Sequence, residues 1–126
     1  FYKNLKKPLF ASKNIVSDNP DFSKIKKRLK DYGMNFGFKK FRIEKNSCYL
    51  PNDLAISYAL ALATIGNAKK ISLVGFDGYK QNNSLQEEMI ETIKLYKNNK
   101  KNINIYSLTP TSYPVDSDSL YAPKKN

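Results

Sequence analysis

The chain has 126 residues, of which 40% are hydrophobic and 26% charged. This is the length and composition of one globular domain and excludes disordered and fibrous classes. The formal net charge is +11, but the 22 basic residues include only two arginines, Arg28 and Arg42, so 20 are lysines. Because nucleic-acid readers favour the planar fork of arginine, we predict a solvated lysine face and no specific nucleic-acid partner.

Cysteine and histidine usage narrows the chemistry further. Cys48 is the only cysteine, so no internal disulfide can form, and we expect a reducing, cytoplasmic location. The chain has no histidine, which removes Ser-His and Cys-His nucleophile pairs and any histidine base. Neither G-x-G-x-x-G nor G-x-x-x-x-G-K-S/T occurs, and Asp116 and Asp118 alone do not make a metal site. We therefore expect no metal and no cofactor.

The start of the chain predicts that a further domain precedes it. The first residue is Phe1 rather than methionine, and residues 1–5 lack the layout of a signal peptide. We interpret the chain as a fragment whose partner is an upstream domain of the same polypeptide; the alternative is a processed mature chain.

The first third of the chain predicts a strand, a helix and a broken strand. Residues 9–16 are a modest strand candidate. Residues 19–33 have a helix-start signal at Asn19-Pro20, then apolar residues at helical spacing, then a glycine stop. Residues 36–38 and 41–43 alternate as strand residues do, with a bulge or break between them.

The rest of the chain predicts two more strands and two more helices. Residues 54–65 are apolar on nearly every face, which predicts a buried helix too short to span a membrane. Residues 71–75 are the strongest strand candidate, and residues 103–108 the last. Between them, residues 84–87 resemble a capping box that begins a helix. The inner face of that helix is predicted to comprise Leu85, Met89, Ile93 and Tyr96.

This alternation predicts an α/β fold with right-handed crossovers. We expect a Rossmann-like three-layer α/β/α domain with a mainly parallel sheet of about four strands, covered on both faces, over residues 1–108. The three prolines after residue 108 predict an irregular C-terminal arm over residues 109–126.

Ligands of open α/β sheets bind at the carboxyl ends of the strands. That rule selects residues 44–47, 75–81 and 109–113, whose hydroxyl, amide and carboxylate groups suit a sugar or a nucleotide. The ligand-binding candidates are Asp77, Tyr79, Gln81, Thr109, Thr111 and Ser112.

Asp77 is the principal candidate, because Gly75 and Gly78 flank it and permit a sharp turn. Its carboxylate could accept hydrogen bonds from ligand hydroxyls or act as a base. Alternatively, it accepts hydrogen bonds from the amides of its own turn. Tyr79 either contacts a ligand or packs as a lid on the loop. Thr109, Thr111 and Ser112 serve either a ligand or their local turn.

A family resemblance covers residues 50–115. An apolar small-residue helix leads into ALATIGNAKKISLVGFDGY, and a later strand ends in IYSLTPTSY. This pattern resembles the second half of the Rossmann-like domain of bacterial sialyltransferases and of pterin-pyrophosphokinase-like domains. Similar segments follow aldolases of the hydroxymethylglutaryl-lyase type in surface-polysaccharide pathways. By this resemblance, Asp77 and Tyr79 would lie beside a nucleotide-sugar site.

The chain departs from the sialyltransferase pattern by lacking the catalytic histidine and the Thr-Ser-Gly turn before the helix. The resemblance therefore implies a C-terminal accessory or ligand-binding domain of a bacterial surface-carbohydrate enzyme, fused to an aldolase-type barrel. The alternatives are part of a nucleotide-sugar transferase and a non-catalytic interaction module.

The lysine excess predicts nucleic-acid binding that is weak and strongly dependent on salt. Binding of labelled oligonucleotides should be measurable only at low ionic strength and should fall steeply with added salt, because it would rest on counterion release. Fluorescence anisotropy on single- and double-stranded oligonucleotides of several sequences measures this. Tight, sequence-dependent binding at physiological salt would contradict the prediction.

Overall fold

The computed structural model describes residues 7–80, 83–119 and 121. In chain order the elements are β1 (Leu9–Ala11), α1 (Lys13–Val16), α2 (Phe22–Ile25), a 3-10 turn (Lys26–Arg28), β2 (Leu29–Asp31), β3 (Gly33–Phe36), β4 (Arg42–Ile43), β5 (Ser47–Leu50), α3 (Ala55–Ile65), β6 (Ile71–Leu73), α4 (Ser84–Lys97), β7 (Ile105–Ser107) and β8 (Asp116–Ser117).

The strands pair mainly in parallel, as expected for an α/β chain. β1 pairs with β2, β5 lies between β3 and β4, and β7 lies between β6 and β8. Every pair is parallel except β4 with β5. Within the described ranges, hydrogen bonding divides the strands into sheets of two, three and three, which differs from the single sheet of about four strands that we expected.

The region before residue 33 differs from the predicted strand and long helix. Residues 13–16 are a helical turn rather than strand, and the second helix gives way to extended chain at Leu29, which pairs with Leu9. Tyr32 is buried, and its hydroxyl donates to the carbonyls of Glu44 at 2.9 Å and Ser47 at 3.0 Å. The spacing of the apolar residues favours a helix up to residue 33. Pairing of β2 with β1 and the burial of Tyr32 favour extended chain instead, and they determine the structure here.

Residues 44–47 do not form a loop after a parallel strand, so they were wrongly selected as a ligand segment. β4 and β5 are antiparallel, and the amide of Glu44 donates to the carbonyl of Ser47 at 3.0 Å across a hairpin. The sequence analysis missed β5, whose residues Cys48 and Leu50 alternate towards the core and are fully buried.

The two long helices form the centre of the domain. α3 buries Ile56, Leu60 and Ala61, which confirms the predicted helix, but Ala55 and Ala59 are exposed, so it is not buried on every face.

α4 buries Met89, Ile93 and Tyr96 as predicted, whereas Leu85 is 40% exposed and does not belong to the inner face. The predicted capping box is also wrong. Asn83 is the cap, and its side chain accepts a hydrogen bond from the Leu85 amide at 2.9 Å.

Buried polar side chains join α3 to α4 at two levels. Asn52 precedes α3, accepts from Ser57 Oγ and donates to Thr92 Oγ1, with both distances 2.6 Å. Further along, the Tyr96 hydroxyl lies 2.7 Å from Thr64 Oγ1. Because buried polar groups are costly unless paired, these bonds fix how the two helices face each other.

Among the described residues, β6 is an edge strand. The amide of Ile71 donates to Asn104, and the carbonyl of Leu73 accepts from Leu108, so these residues bond to the β7 side. Ser72 alternates with them and is exposed, and Val74 is 58% exposed. We expected helices to cover both faces of the sheet. The exposure of Ser72 and Val74 shows that, among the described residues, no helix covers these two side chains.

The predicted irregular arm contains a short strand, β8, which extends the sheet beyond β7. Lys70 forms an ion pair with Asp118. In the part of the chain that the structure describes, no helix combines the length and the hydrophobicity needed to cross a membrane.

The burial of α3 predicts a sharp difference between two neighbouring positions. Leu60 is 2% exposed and Ala59 is exposed. Leu60→Asp should lower the free energy of unfolding by about 3–5 kcal/mol, because it places an unpaired charge in the core. Ala59→Asp, the control on the same helix, should cost less than about 1 kcal/mol. Urea unfolding followed by circular dichroism measures both, and equal losses would contradict the assignment of the buried face.

Candidate ligand-binding site at the Asp77 loop

Two loops meet where parallel strands β6 and β7 end. The first, residues 74–80, follows β6 and carries Asp77; the second, residues 108–115, follows β7. The Ser112 amide donates to the Asp77 carbonyl at 3.0 Å, which joins the loops directly. The structure therefore brings together two of the three segments that the strand-end rule selected.

The hydroxyl side chains of the second loop hold the backbone of the first. Thr109 Oγ1 accepts from the Gly75 amide at 3.0 Å, and Thr111 Oγ1 donates to the Phe76 carbonyl at 2.5 Å. Ser112 Oγ lies 3.1 Å from the Asp77 carbonyl, to which it donates. Thr109, Thr111 and Ser112, predicted as ligand candidates, thus engage the loop backbone and position Asp77.

Gln86 completes this support and was not identified from the sequence. Its Oε1 accepts from the Tyr79 amide at 2.8 Å, and its Nε2 donates to Ser112 Oγ at 2.8 Å. Gln86 is the third residue of α4, a position from which glutamine often reaches back to amides before the helix. Its position in the helix could therefore have identified Gln86 from the sequence. The amide that it binds, Tyr79, lies seven residues earlier in the chain rather than at the start of the helix.

Two glycines give the first loop its course. Gly75 and Gly78 have φ angles of 72° and 110°, which residues with a side chain rarely adopt. A Cβ at Gly78 would collide with Ser112 Oγ, whereas one at Gly75 would meet open space. Gly78 therefore permits the close approach on which the Ser112 contacts depend.

The loop borders a cavity of about 590 Å³, a size typical of small-molecule sites. α3 and the residue before it contribute Leu54, Ala55 and Ile56, and α4 contributes Met89. The other lining residues are Gly75, Phe76, Asp77, Gly78, Tyr79 and Tyr113. The wall is thus largely apolar and aromatic, with one carboxylate.

The Asp77 carboxylate is exposed at this cavity and has no hydrogen-bond or ion-pair partner among the described residues. The alternative was that amides of its own turn donate to the carboxylate oxygens. No such hydrogen bond is present among the described residues. The amide of Tyr79, in the middle of that turn, instead donates to Gln86. The carboxylate is left available to a ligand.

Two tyrosines line the same cavity as the carboxylate. Tyr79 lines the cavity and is 49% exposed, so it does not pack as a closed lid. Tyr113 is 6% exposed, and its hydroxyl has no partner within the described ranges. Burial, followed by the nearby phenol of Tyr79, raises the pKa of Tyr113, so its hydroxyl stays protonated at neutral pH and can donate. Tyr113 lies in a selected segment but was not singled out as a ligand residue.

Other predicted features do not contribute to this site. Gln81, the remaining candidate, lies outside the described residues. Cys48 is not a cavity residue, and burial raises the pKa of its thiol to about 11, which makes it a poor nucleophile. Within residues 7–80, 83–119 and 121, no cluster of three or more histidine, cysteine, aspartate or glutamate residues could hold a metal.

No protein-family model matches the chain, and no curated protein or solved structure matches it either.

The contact between Gly78 and Ser112 predicts a site-specific cost of adding one methyl group. Gly78→Ala should lower the free energy of unfolding by about 2–4 kcal/mol, because two costs combine. The alanine strains the backbone, and its Cβ displaces Ser112 and breaks the hydrogen bonds of that residue. Gly37→Ala is the matched control, since Gly37 has a φ of 90° and open space at its Cβ. It should cost only the strain, about 1–2 kcal/mol. Chemical denaturation measures both, and equal costs would contradict the close approach.

Proposed function

We propose that this chain is a binding domain for a small hydroxyl-bearing ligand, a sugar or sugar derivative, held in the cavity beside Asp77. One observation carries the proposal: the Asp77 carboxylate borders the cavity without a partner among the described residues, while neighbouring residues hold its backbone. A carboxylate fixed in this way accepts hydrogen bonds from ligand hydroxyls, and the Tyr113 hydroxyl can donate to a ligand oxygen.

The wider role that we propose is an accessory C-terminal domain of a bacterial surface-carbohydrate enzyme, with a Rossmann-like arrangement and an aldolase-type barrel upstream. The support is the likeness of residues 50–115 to such domains and the Gly-x-Asp segment at Gly75–Asp77. A binding role also suits the donor set, since the cavity lining offers a carboxylate and two phenols but no paired nucleophile and base.

The cavity favours a sugar over a nucleotide sugar. A diphosphate requires cationic side chains or a glycine-rich phosphate loop, and the described lining contains neither lysine nor arginine. Asp77 would also repel a phosphate placed beside it. The transferase alternative therefore needs phosphate-binding groups from elsewhere.

Isothermal titration calorimetry with a panel of hexoses, hexosamines and N-acetylhexosamines tests the proposal. At least one should bind saturably, and Asp77→Asn should weaken it about tenfold to hundredfold, since hydrogen bonds to a charged group are worth about 1.5–3 kcal/mol. Asp18→Asn, a substitution at an exposed aspartate outside the cavity, is the control and should leave binding unchanged.

Two outcomes would contradict the proposal. The first is an absence of binding by every sugar in both the isolated domain and the full-length protein. The second is binding that Asp77→Asn does not weaken. UDP- and CMP-sugars complete the panel and should produce little or no thermal shift in the isolated domain, because the described cavity lacks phosphate-binding groups.

A further inference from the structure

We propose that the ligand of the Asp77 cavity carries a positively charged amine, which makes an amino sugar the preferred class of sugar. This inference rests on the proposed function for the location of the site. The new element is the charge of the ligand. We infer it from two properties of the cavity lining, which are a carboxylate without a counter-ion and three aromatic rings.

The first step concerns the charge on the cavity wall. Asp77 is the only ionic side chain among the described lining residues, and no described cation neutralises it. The hydroxyls of a neutral sugar can donate hydrogen bonds to the carboxylate in place of water, but they leave its charge without a counter-ion beside an apolar wall. An ammonium group in the same place would replace the lost water with an ion pair and charge-assisted hydrogen bonds.

The second step concerns the aromatic side chains. Phe76, Tyr79 and Tyr113 line the same cavity as the carboxylate. Aromatic ring faces attract organic cations, and a carboxylate among several rings is a combination that recognises alkylammonium groups. Anionic ligands gain nothing from such a wall.

The third step concerns the rest of the cavity. Leu54, Ile56 and Met89 add apolar surface to the same cavity. The ring carbons of a sugar can cover such a surface while its substituents face Asp77 and the Tyr113 hydroxyl. The carboxylate thus suits a cation, and the apolar lining suits a compact body with few charges.

The net charge of +11 opposes a cationic ligand at long range but does not reverse the local preference. At physiological ionic strength, charges are screened over about 8 Å, so exposed lysines act weakly on a ligand that touches Asp77. Lys80, three residues after Asp77, is exposed and is not among the lining residues. Direct contact with the carboxylate therefore determines which charge the site accepts.

Matched sugars test the inference. Glucosamine, galactosamine and mannosamine are titrated by calorimetry at pH 6.5, each beside its N-acetyl derivative and its parent neutral hexose. At least one amino sugar should bind at least tenfold more tightly than both of its neutral counterparts. Asp77→Asn should bring that ratio close to one, Tyr79→Leu should reduce it by severalfold through loss of a ring, and Asp18→Asn should leave it unchanged.

Each outcome separates this inference from the proposed function. Equal binding of an amino sugar and its neutral counterparts would overturn the amine preference and leave the sugar-binding proposal standing. An amine preference that survives Asp77→Asn would overturn the assignment to this carboxylate. An absence of binding by all nine sugars would overturn the proposed function itself and this inference with it.

Discussion

The site depends on the two hydrogen bonds that Ser112 donates to the carbonyl of Asp77, one from its amide and one from its hydroxyl. Thr109, Thr111 and Gln86 form further hydrogen bonds to backbone groups of the first loop. The partners of this backbone therefore lie outside the loop itself. An aspartate in a glycine-flanked turn ordinarily bonds to its own backbone. Because other residues hold this turn, the Asp77 side chain is released from that role.

The two long helices contribute another part of the cavity wall. Leu54, the residue before α3, Ile56 in α3 and Met89 in α4 line the cavity together with the loop. Asn52 bonds to Ser57 and Thr92 and so fixes the start of α3 against α4. The buried amide network and the loop contacts therefore define two sides of one cavity, although no residue belongs to both.

The parts of the fold that sequence reasoning predicted are those whose local pattern agrees with their environment. α3, α4, β6 and β7 have continuous apolar or helical patterns, and the strand-end rule selected the two loops that meet after β6 and β7. β2 and β5 were missed because pairing with distant strands determines them. The roles of Thr111 and Ser112 were equally inaccessible, since each bonds to a residue 35 positions away.

The open edge of β6 has a consequence for how copies of this chain behave in solution. The side of β6 that faces away from β7 offers backbone groups with which another strand can pair, and edges of this kind promote aggregation. Lys69 and Lys70 directly precede the strand, and the chain as a whole carries a charge of +11. A net charge of this size makes copies of the chain repel one another and so opposes such pairing. The lysine excess thus opposes strand pairing between copies at an uncovered sheet edge.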